Sequence, residues 1–251
     1  MKNVVPIVEN QVYVRIGTAG WSIPANNRSE FSQTGSILEK YATRFNAVEI
    51  NSSFYRPHQL STYKKWASQV PADFSFSVKL PRIITHHSKL IEIAQPLNLF
   101  AEQVSGLGSK LGCVLVQLPP SLAFSKPHSE LAFAMLRQVF ACSIVCEPRH
   151  RTWFSSDVDK FFLDAGVARV AADPALCASA SIPAGDMQAV YYRLHGSPDI
   201  YYSDYSIDSL KNYARLINDQ KQSSALWCIF DNTASGRATS NALTMQQLLT
   251  L

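Results

Sequence analysis

The sequence has little of what marks secreted, membrane-spanning or zinc-binding proteins. Its five cysteines include no Cys-x-x-Cys pair, and no apolar run is as long as a membrane-spanning helix. Most of the cysteines fall inside apolar runs, which predicts buried, reduced thiols rather than disulfides. The first residues contain no signal-like apolar stretch, so we expect a cytoplasmic protein without a membrane partner.

Charge of one sign is also scarce. The chain has 23 Lys and Arg against 19 Asp and Glu, which gives a net charge of +4. This small excess favours an anionic ligand but is far from the basic tail of many nucleic-acid-binding proteins. The chain has no HxH or HExxH spacing for zinc, and no GxGxxG loop after the first strand for a dinucleotide.

Length and composition predict a single folded unit. The chain has 251 residues, 47% of them hydrophobic, and it contains no linker or low-complexity tract. A chain of this size can form one large barrel domain. We therefore expect one domain over residues 1–251, in which 1–11 form an N-terminal extension.

What the sequence does have is a series of short apolar runs that end at a polar or charged residue. Buried parallel strands have this apolar character. The runs predict eight strands, at 13–17, 47–51, 74–79, 113–118, 143–147, 167–172, 189–195 and 226–231.

Helical periodicity appears between most of these runs. Helices are predicted at 36–45, 60–70, 97–107, 129–140, 156–166, 206–218 and 239–249, with Ser129 and Ser156 as N-caps. The segment 173–186 shows no clear helix. Alternating strands and helices predict an α/β fold, a single (β/α)8 TIM-type barrel with an irregular sixth unit. An open, doubly wound sheet is the alternative.

In such a barrel the carboxyl ends of the strands converge on one functional mouth. The strongest block there is Glu147-Pro148-Arg149-His150. Glu147 is a candidate base or metal ligand, Arg149 a clamp for a carboxylate or phosphate, and His150 a proton donor or acceptor. An internal ion pair between Glu147 and Arg149 is the structural alternative.

Two further strands present polar residues on one face, because side chains alternate along a strand. Arg193 and His195 share a face, as do Glu49 and Asn51. Lys79 ends another strand and is a candidate charge clamp or, less favoured, a Schiff-base amine. The alternatives are a satisfied interior histidine for His195 and an ion pair with Glu49 for Lys79.

The predicted site thus contains three overlapping sets. The candidate catalytic residues are Glu49, Lys79, Glu147, His150 and His195. The candidate substrate-binding residues are Trp21, Asn51, Tyr55, Arg56, Gln117, Arg149, Trp153, Arg193, Asp231 and Asn232. The candidate metal ligands are Glu49, Glu147, Asp173, His195 and Asp231, a set that suits Mg²⁺ or Mn²⁺ better than Zn²⁺.

Several short motifs also carry a family resemblance. They are IGTAGW at 16–21, VEINSSFYR at 48–56, FSVK at 76–79, ITH at 84–86, KLG at 110–112, QLPPS at 117–121, EPRH at 147–150, YRLHG at 192–196 and FDNT at 230–233. In this order they resemble the YecE-like proteins, a domain family of unknown function numbered seventy-two. The resemblance implies a TIM-type barrel and implies no activity.

Three functions remain open from the sequence. The first is a barrel enzyme of hydrolase or lyase type that acts on a small anionic or phosphorylated ligand, with Glu and His for acid–base chemistry and Arg and Lys as an anion clamp. The second is a metal-dependent barrel that processes or binds nucleic acid through a rim of aromatic and arginine side chains. The third is a non-catalytic ligand sensor. The sequence indicates no oligomeric state.

Overall fold

The computed structural model describes residues 14–220, 223 and 225–250. The predicted extension 1–11 and the start of the first predicted strand at Tyr13 lie outside these residues. The strands are β1 Val14–Thr18, β2 Ala47–Ile50, β3 Ser75–Lys79, β4 Leu111–Gln117, β5 Ser143–Glu147, β6 Val167–Arg169, β7 Ala171–Asp173, β8 Ala184–Gly185, β9 Ala189–Leu194 and β10 Ala225–Phe230.

Helices connect most of the strands. The α-helices are α1 Ile37–Tyr41, α2 Leu60–Ser68, α3 Ala94–Val104, α4 Lys126–Val139, α5 Ser156–Asp164, α6 Ile207–Asn218 and α7 Arg237–Thr250. Short 3-10 turns lie at Ala25–Glu30, Ser52–Phe54, Ser105–Lys110, Arg151–Trp153 and Ala178–Ser181, and a π-helical turn lies at Ile83–His87. Among the described residues, no helix is both long and apolar enough to cross a membrane.

The strands form two sheets, which confirms the predicted α/β class. One sheet has the order β1-β10-β9-β7 and the other the order β2-β3-β4-β5-β6-β8. Every pairing is parallel except that of β6 with β8. Parallel neighbours need long crossovers, which the helices supply.

The sixth predicted unit is irregular in the structure, as the sequence indicates. Its strand is divided into β6 and β7 at Val170, whose backbone N–H donates to the Cys146 carbonyl at 2.8 Å. The turn Ala178–Ser181 and the two-residue strand β8 take the place of a helix. Pro174, Pro183, Gly185 and the four small residues of the Ala178–Ser181 turn leave no amphipathic face long enough for a helix.

Two predicted helix caps are wrong by a few residues. Helix α5 is capped by Ser155, whose side chain accepts from the Val158 N–H, and Ser156 is the first helical residue. Helix α4 begins at Lys126, so Ser129 lies inside the helix and is buried. Pro127 accounts for this earlier start, because proline fits the first turn of a helix.

The strands separate two hydrophobic cores. The larger core lies between strands and helices, and along β9 it receives Val190, Tyr192 and Leu194. The smaller core lies on the opposite strand face and draws residues from both sheets: Ala47, Cys113, Leu115, Val145, Ala168, Val170, Ala189, Tyr191, Trp227 and Ile229. Beyond this inner core, toward the carboxyl ends of the strands, the inner face becomes polar.

Candidate functional site

Arg193 is the centre of this polar layer, which we call the charged layer. Its side chain is fully buried, and its Nε and Nη2 donate to the two oxygens of Glu49 at 2.9 and 2.7 Å. Its Nη1 donates to Glu147 Oε2 at 3.2 Å, and Nη2 lies 3.0 Å from Asp231 Oδ2. Burial lowers the pKa of this guanidinium, but Asp231, Glu49 and Glu147 together raise it well above its usual value. Arg193 is therefore a permanent cation held by three carboxylates from separate strand ends.

His195 lies between two of these carboxylates and is also fully buried. Its Nδ1 is 2.9 Å from Asp231 Oδ2, and its Nε2 is 2.9 Å from Glu147 Oε1. Nη2 of Arg149 lies 2.6 Å from the same Nε2. Asp231 therefore orients the ring through Nδ1, while Nε2 faces both a carboxylate and a guanidinium. Such a nitrogen is positioned to exchange a proton.

Glu147 connects the imidazole to the opening of the site. It forms ion pairs with Arg193 and Arg149, and Gln117 Nε2 donates to it at 3.3 Å. Burial raises the pKa of the Glu147 carboxyl, but Arg149, His195 and Arg193 outweigh it and hold this pKa well below its usual value. The predicted alternative of a Glu147–Arg149 ion pair is present. It does not remove Arg149 from the site, because 20% of the Arg149 side chain stays exposed.

Asp231 is ionised for a related reason. Burial raises the pKa of its carboxyl, whereas Arg193 and His195 lower it, and the net pKa is below the usual value. Together with Glu147 it gives the layer buried negative charge that is held in place by hydrogen bonds.

The sequence patterns did not identify two residues of the site, Tyr191 and Ser77. The Tyr191 hydroxyl donates to Glu49 Oε2 at 2.9 Å and lies 3.1 Å from Ser77 Oγ. Tyr191 precedes Arg193 by two residues, and Ser77 precedes Lys79 by two. Extending the period-two pattern one step toward the N-terminus of each strand would have found both residues.

Lys79 differs from the other charged residues of the layer. Only 5% of it is exposed, and its Nζ lies 4.2 Å from the centre of the Phe54 ring. The predicted alternative of an ion pair with Glu49 is absent from the described part of the chain, because Arg193 occupies both Glu49 oxygens. Burial and Arg193 lower the pKa of the Lys79 amine to about 8, against the opposing effect of Glu49, Glu147 and Asp231.

Tyr201 lies over His195, with ring centres 5.8 Å apart. Its φ is +71°, which is uncommon for a bulky residue and strains the backbone. The Tyr201 N–H donates to the His195 carbonyl at 2.6 Å, and its carbonyl accepts from the Ala234 N–H at 3.1 Å. The loop between β9 and α6, which covers His195 with the Tyr201 ring, is thus attached to the loop after β10.

Three predicted site residues lie away from the charged layer. Trp153 is buried in the outer core, where it stacks on Phe162. His150 accepts from the Thr152 N–H and caps a 3-10 turn. Asp173 accepts from the Tyr205 hydroxyl at 2.6 Å. His150 and Trp153 lie beyond β5, at a 3-10 turn where the alternation of a strand no longer applies. Asp173 lies in β7 on the same face as Ala171, which belongs to the outer core.

Other predicted binding residues lie at the edge of the site. Trp21 packs edge-to-face on Trp66, at a centroid distance of 5.0 Å. Tyr55 and Arg56 are exposed and line an apolar cleft of 240 Å³. The loop after β10 and the start of α7 line a separate cleft of 190 Å³.

Two predicted amide ligands have different surroundings. Asn51 Oδ1 is buried and has no hydrogen-bond partner among the described residues. Asn232 Nδ2 donates to the Ser203 carbonyl and to Asn241 Oδ1, so Asn232 holds the covering loop, while its Oδ1 is also buried without a partner among the described residues.

The carboxylates do not form a metal centre in the structure. Within residues 14–220, 223 and 225–250, no group of three or more His, Cys, Asp and Glu side chains is arranged to hold a metal ion. The guanidinium of Arg193 stands among Glu49, Glu147 and Asp231, where a shared metal ion would have to lie. The predicted metal ligands are thus brought together, except Asp173, but around an organic cation.

Comparison with known proteins agrees with this architecture. A family model described as "Protein of unknown function DUF72" matches residues 15–251. The UPF0759 protein YunF of Bacillus subtilis is 25% identical over an alignment 266 residues long, and the alignment covers 94% of each chain. The UPF0759 protein YecE of Escherichia coli K12 is 31% identical over 106 residues, 42% of this chain and 38% of that protein.

Solved structures of similar proteins share the fold. A DUF72 family protein from Thermotoga maritima, TM1631, superposes with a TM-score of 0.79 at 22% identity and covers 95% of this chain and 99% of its own. A DUF72 family protein from Enterococcus faecalis, EF0366, superposes with a TM-score of 0.78 at 20% identity, covering 95% of this chain and 96% of its own.

Proposed function

Because the chain belongs to the family of proteins of unknown function DUF72, whose description assigns no reaction, we propose a function from the charged layer itself. The protein binds a small anionic ligand at the carboxyl ends of its inner strands and transfers a proton to or from it. One observation carries this proposal: Lys79 is a buried cation without a side-chain ion-pair partner within the described residues, beside three carboxylates that are each already paired with Arg193.

Among the described residues of the charged layer, Lys79 and Arg149 are the cations that remain for a ligand. Arg149 is paired with Glu147 but keeps part of its side chain exposed, and its planar guanidinium suits a carboxylate or phosphate. Arg193 was predicted as part of this clamp. Its hydrogen bonds to Glu49, Glu147 and Asp231 and its complete burial favour a positioning role instead.

His195 and Glu147 supply the proton transfer. Asp231 fixes the imidazole through Nδ1, so Nε2 exchanges a proton with Glu147 or with a ligand held by Arg149. This arrangement suits an enzyme of hydrolase or lyase type. The covering loop places the Tyr201 ring against His195 and shields one side of the imidazole from water.

We also propose that the two sheets close into a single (β/α)8 barrel. Ala19, just after β1, forms a parallel bridge with Glu49 of β2, which belongs to the other sheet. A Cβ on Gly17 would lie 2.1 Å from the Ala47 carbonyl oxygen, so these two strands approach very closely. On the opposite side, β6 and β7 belong to different sheets and are separated only by Val170.

The proposed anion site is tested by calorimetric titration with inorganic phosphate and with malonate. We expect one of these probes to bind, and Arg149→Met and Lys79→Met each to weaken its binding about tenfold, equivalent to about 1.4 kcal/mol. Lys160→Met is the matched control, because Lys160 is exposed and pairs with Asp164 on its own helix. Absence of binding by both probes, or equal losses in the control, would overturn the proposal.

Exposed aromatic and arginine side chains support a second candidate function, the binding of single-stranded nucleic acid. Tyr55 and Tyr202 are exposed, and so is Arg56, a combination that stacks bases and contacts phosphates in single-stranded nucleic acid. Fluorescence anisotropy with a labelled oligonucleotide at increasing salt tests it, because phosphate contacts make binding weaken steeply with salt. The sensor alternative predicts the same small-anion binding without turnover.

A further inference from the structure

The environments of two lysines differ sharply. Lys110 Nζ donates to the carbonyls of Ala67 and Val70, at 2.6 Å each. Lys79 is more deeply buried, yet its Nζ has no hydrogen-bond acceptor among the described residues and rests on the Phe54 ring. The side chain is thus packed against an aromatic ring, while its terminal nitrogen is not held by any protein oxygen of the described residues. That nitrogen is left for a ligand.

The backbone holds this amine in place. Lys79 is the last residue of β3, and its carbonyl accepts from Ser53 Oγ at 2.6 Å. Ser53 also donates to the Ile50 carbonyl, so the turn after β2 is attached to the end of β3. Phe54 follows in the same turn and covers one side of the amine. The amine therefore has a defined direction of approach.

We propose that Lys79 is a nucleophile that forms an imine with the carbonyl group of a small anionic aldehyde or ketone. This inference rests on the proposed anion site and names the chemical class of its ligand. The Nζ lone pair adds to the carbonyl carbon, and the carbonyl oxygen takes a proton. The resulting carbinolamine then loses that oxygen as water while the C=N bond forms. Amine and carbonyl give imine and water, with no change of oxidation state.

The charged layer supplies what this step needs. Lys79 is faced by Glu49 and Glu147 from β2 and β5, by Arg193 from β9, by Asp231 after β10 and by His86 from the π-helical turn. With a pKa of about 8, roughly a tenth of the Lys79 amine is unprotonated at pH 7. Arg149 then holds the ligand's anionic group, and Glu147 with His195 moves the protons.

The test is reductive trapping. The purified full chain is treated with glyoxylate and sodium cyanoborohydride at pH 7, and the modified peptides are mapped by mass spectrometry. We expect Lys79 to be labelled about tenfold faster than Lys110 or the exposed Lys126 and Lys160. Lys79→Arg should remove that fast phase. Labelling of Lys79 at or below the rate of Lys110 would overturn the proposal.

Two further arms separate this inference from the anion site. Glycolaldehyde has a carbonyl group but no charge, so it should label Lys79 more slowly than glyoxylate, and Arg149→Met should erase the difference. Glyoxylate that binds in calorimetry but never labels Lys79 would leave the anion site standing and refute the imine. Equal labelling by both aldehydes, unaffected by Arg149→Met, would support the amine and refute the anion site.

Discussion

Glu49 and Arg193 form a doubly hydrogen-bonded ion pair in which both side chains are fully buried and which joins a strand of each sheet. In Arg193→Met, Glu49, Glu147 and Asp231 would lose their shared cation while remaining buried. Breaking a buried pair in this way costs about 3–5 kcal/mol. We expect at least that loss in the free energy of unfolding, measured by urea denaturation.

The control for this prediction is a surface ion pair. Arg44 and Glu30 are 3.1 Å apart, and their side chains are 36% and 52% exposed. Arg44→Ala should cost no more than about 1 kcal/mol, because solvent screens such pairs. If the two variants lost similar stability, Arg193 would not be the organising cation of the layer.

Stability should fall in acid because of Glu147 and Asp231. Their folded pKa values are lowered from the ordinary range, so the unfolded chain binds more protons as the pH drops below about 4. The stabilisation is complete above the unfolded pKa and is lost as the pH falls through the folded one. Urea unfolding from pH 3 to pH 7 measures this slope. A curve for Glu147→Gln as steep as that of the wild type would contradict the assignment to Glu147.

Lys79 should make the stability of the protein depend on pH in the alkaline range. Its folded pKa of about 8 lies below the unfolded value of about 10.4, so between these values the unfolded chain binds more protons and stability rises with pH. The full effect is about 3 kcal/mol. Lys79→Met lacks this contribution, and it should be more stable than the wild type at pH 7 and lose that advantage by pH 10. A difference that does not change with pH would refute the buried-amine interpretation.

Replacing Tyr201 should change ligand binding without changing the stability of the protein. Tyr201→Gly removes the backbone strain at φ +71°, and the ring it removes is 44% exposed. We therefore expect this variant to keep the wild-type melting temperature. Its affinity for the phosphate or malonate probe should fall because the cover over His195 is lost. Tyr201→Phe keeps the ring and should bind normally; loss of binding there would instead assign the role to the hydroxyl.

Much of the fold could be predicted from the sequence. The strand at 143–147 has the observed bounds, and the other predicted strand ends that fall on described residues lie within two residues of the observed ends. Apolar runs are informative here because both faces of each strand are buried, one by helices and the other by the inner core. The division at Val170 could not be foreseen, since it arises from pairing with neighbouring strands on different sheets.

The site was predicted less completely than the fold. Glu49, Glu147, Arg193, His195 and Asp231 meet as the strand ends indicated. The partners of each charge could not be predicted, because they depend on which strand lies opposite across the inner core. His150 and Trp153 follow β5 closely and Asp173 ends β7, yet the side chain of each lies away from that core.

The alternation along β9 also limits how that strand can be threaded into its sheet. Tyr191 points to the inner core, as do the charges that follow it, while Val190, Tyr192 and Leu194 meet the helices. A register shift of one residue would place the Arg193 guanidinium and the His195 imidazole in the helix-facing core, and it would remove Arg193 from its three carboxylate partners. The charged layer therefore specifies the register of β9, because the shifted pairing would be much less stable than the native one.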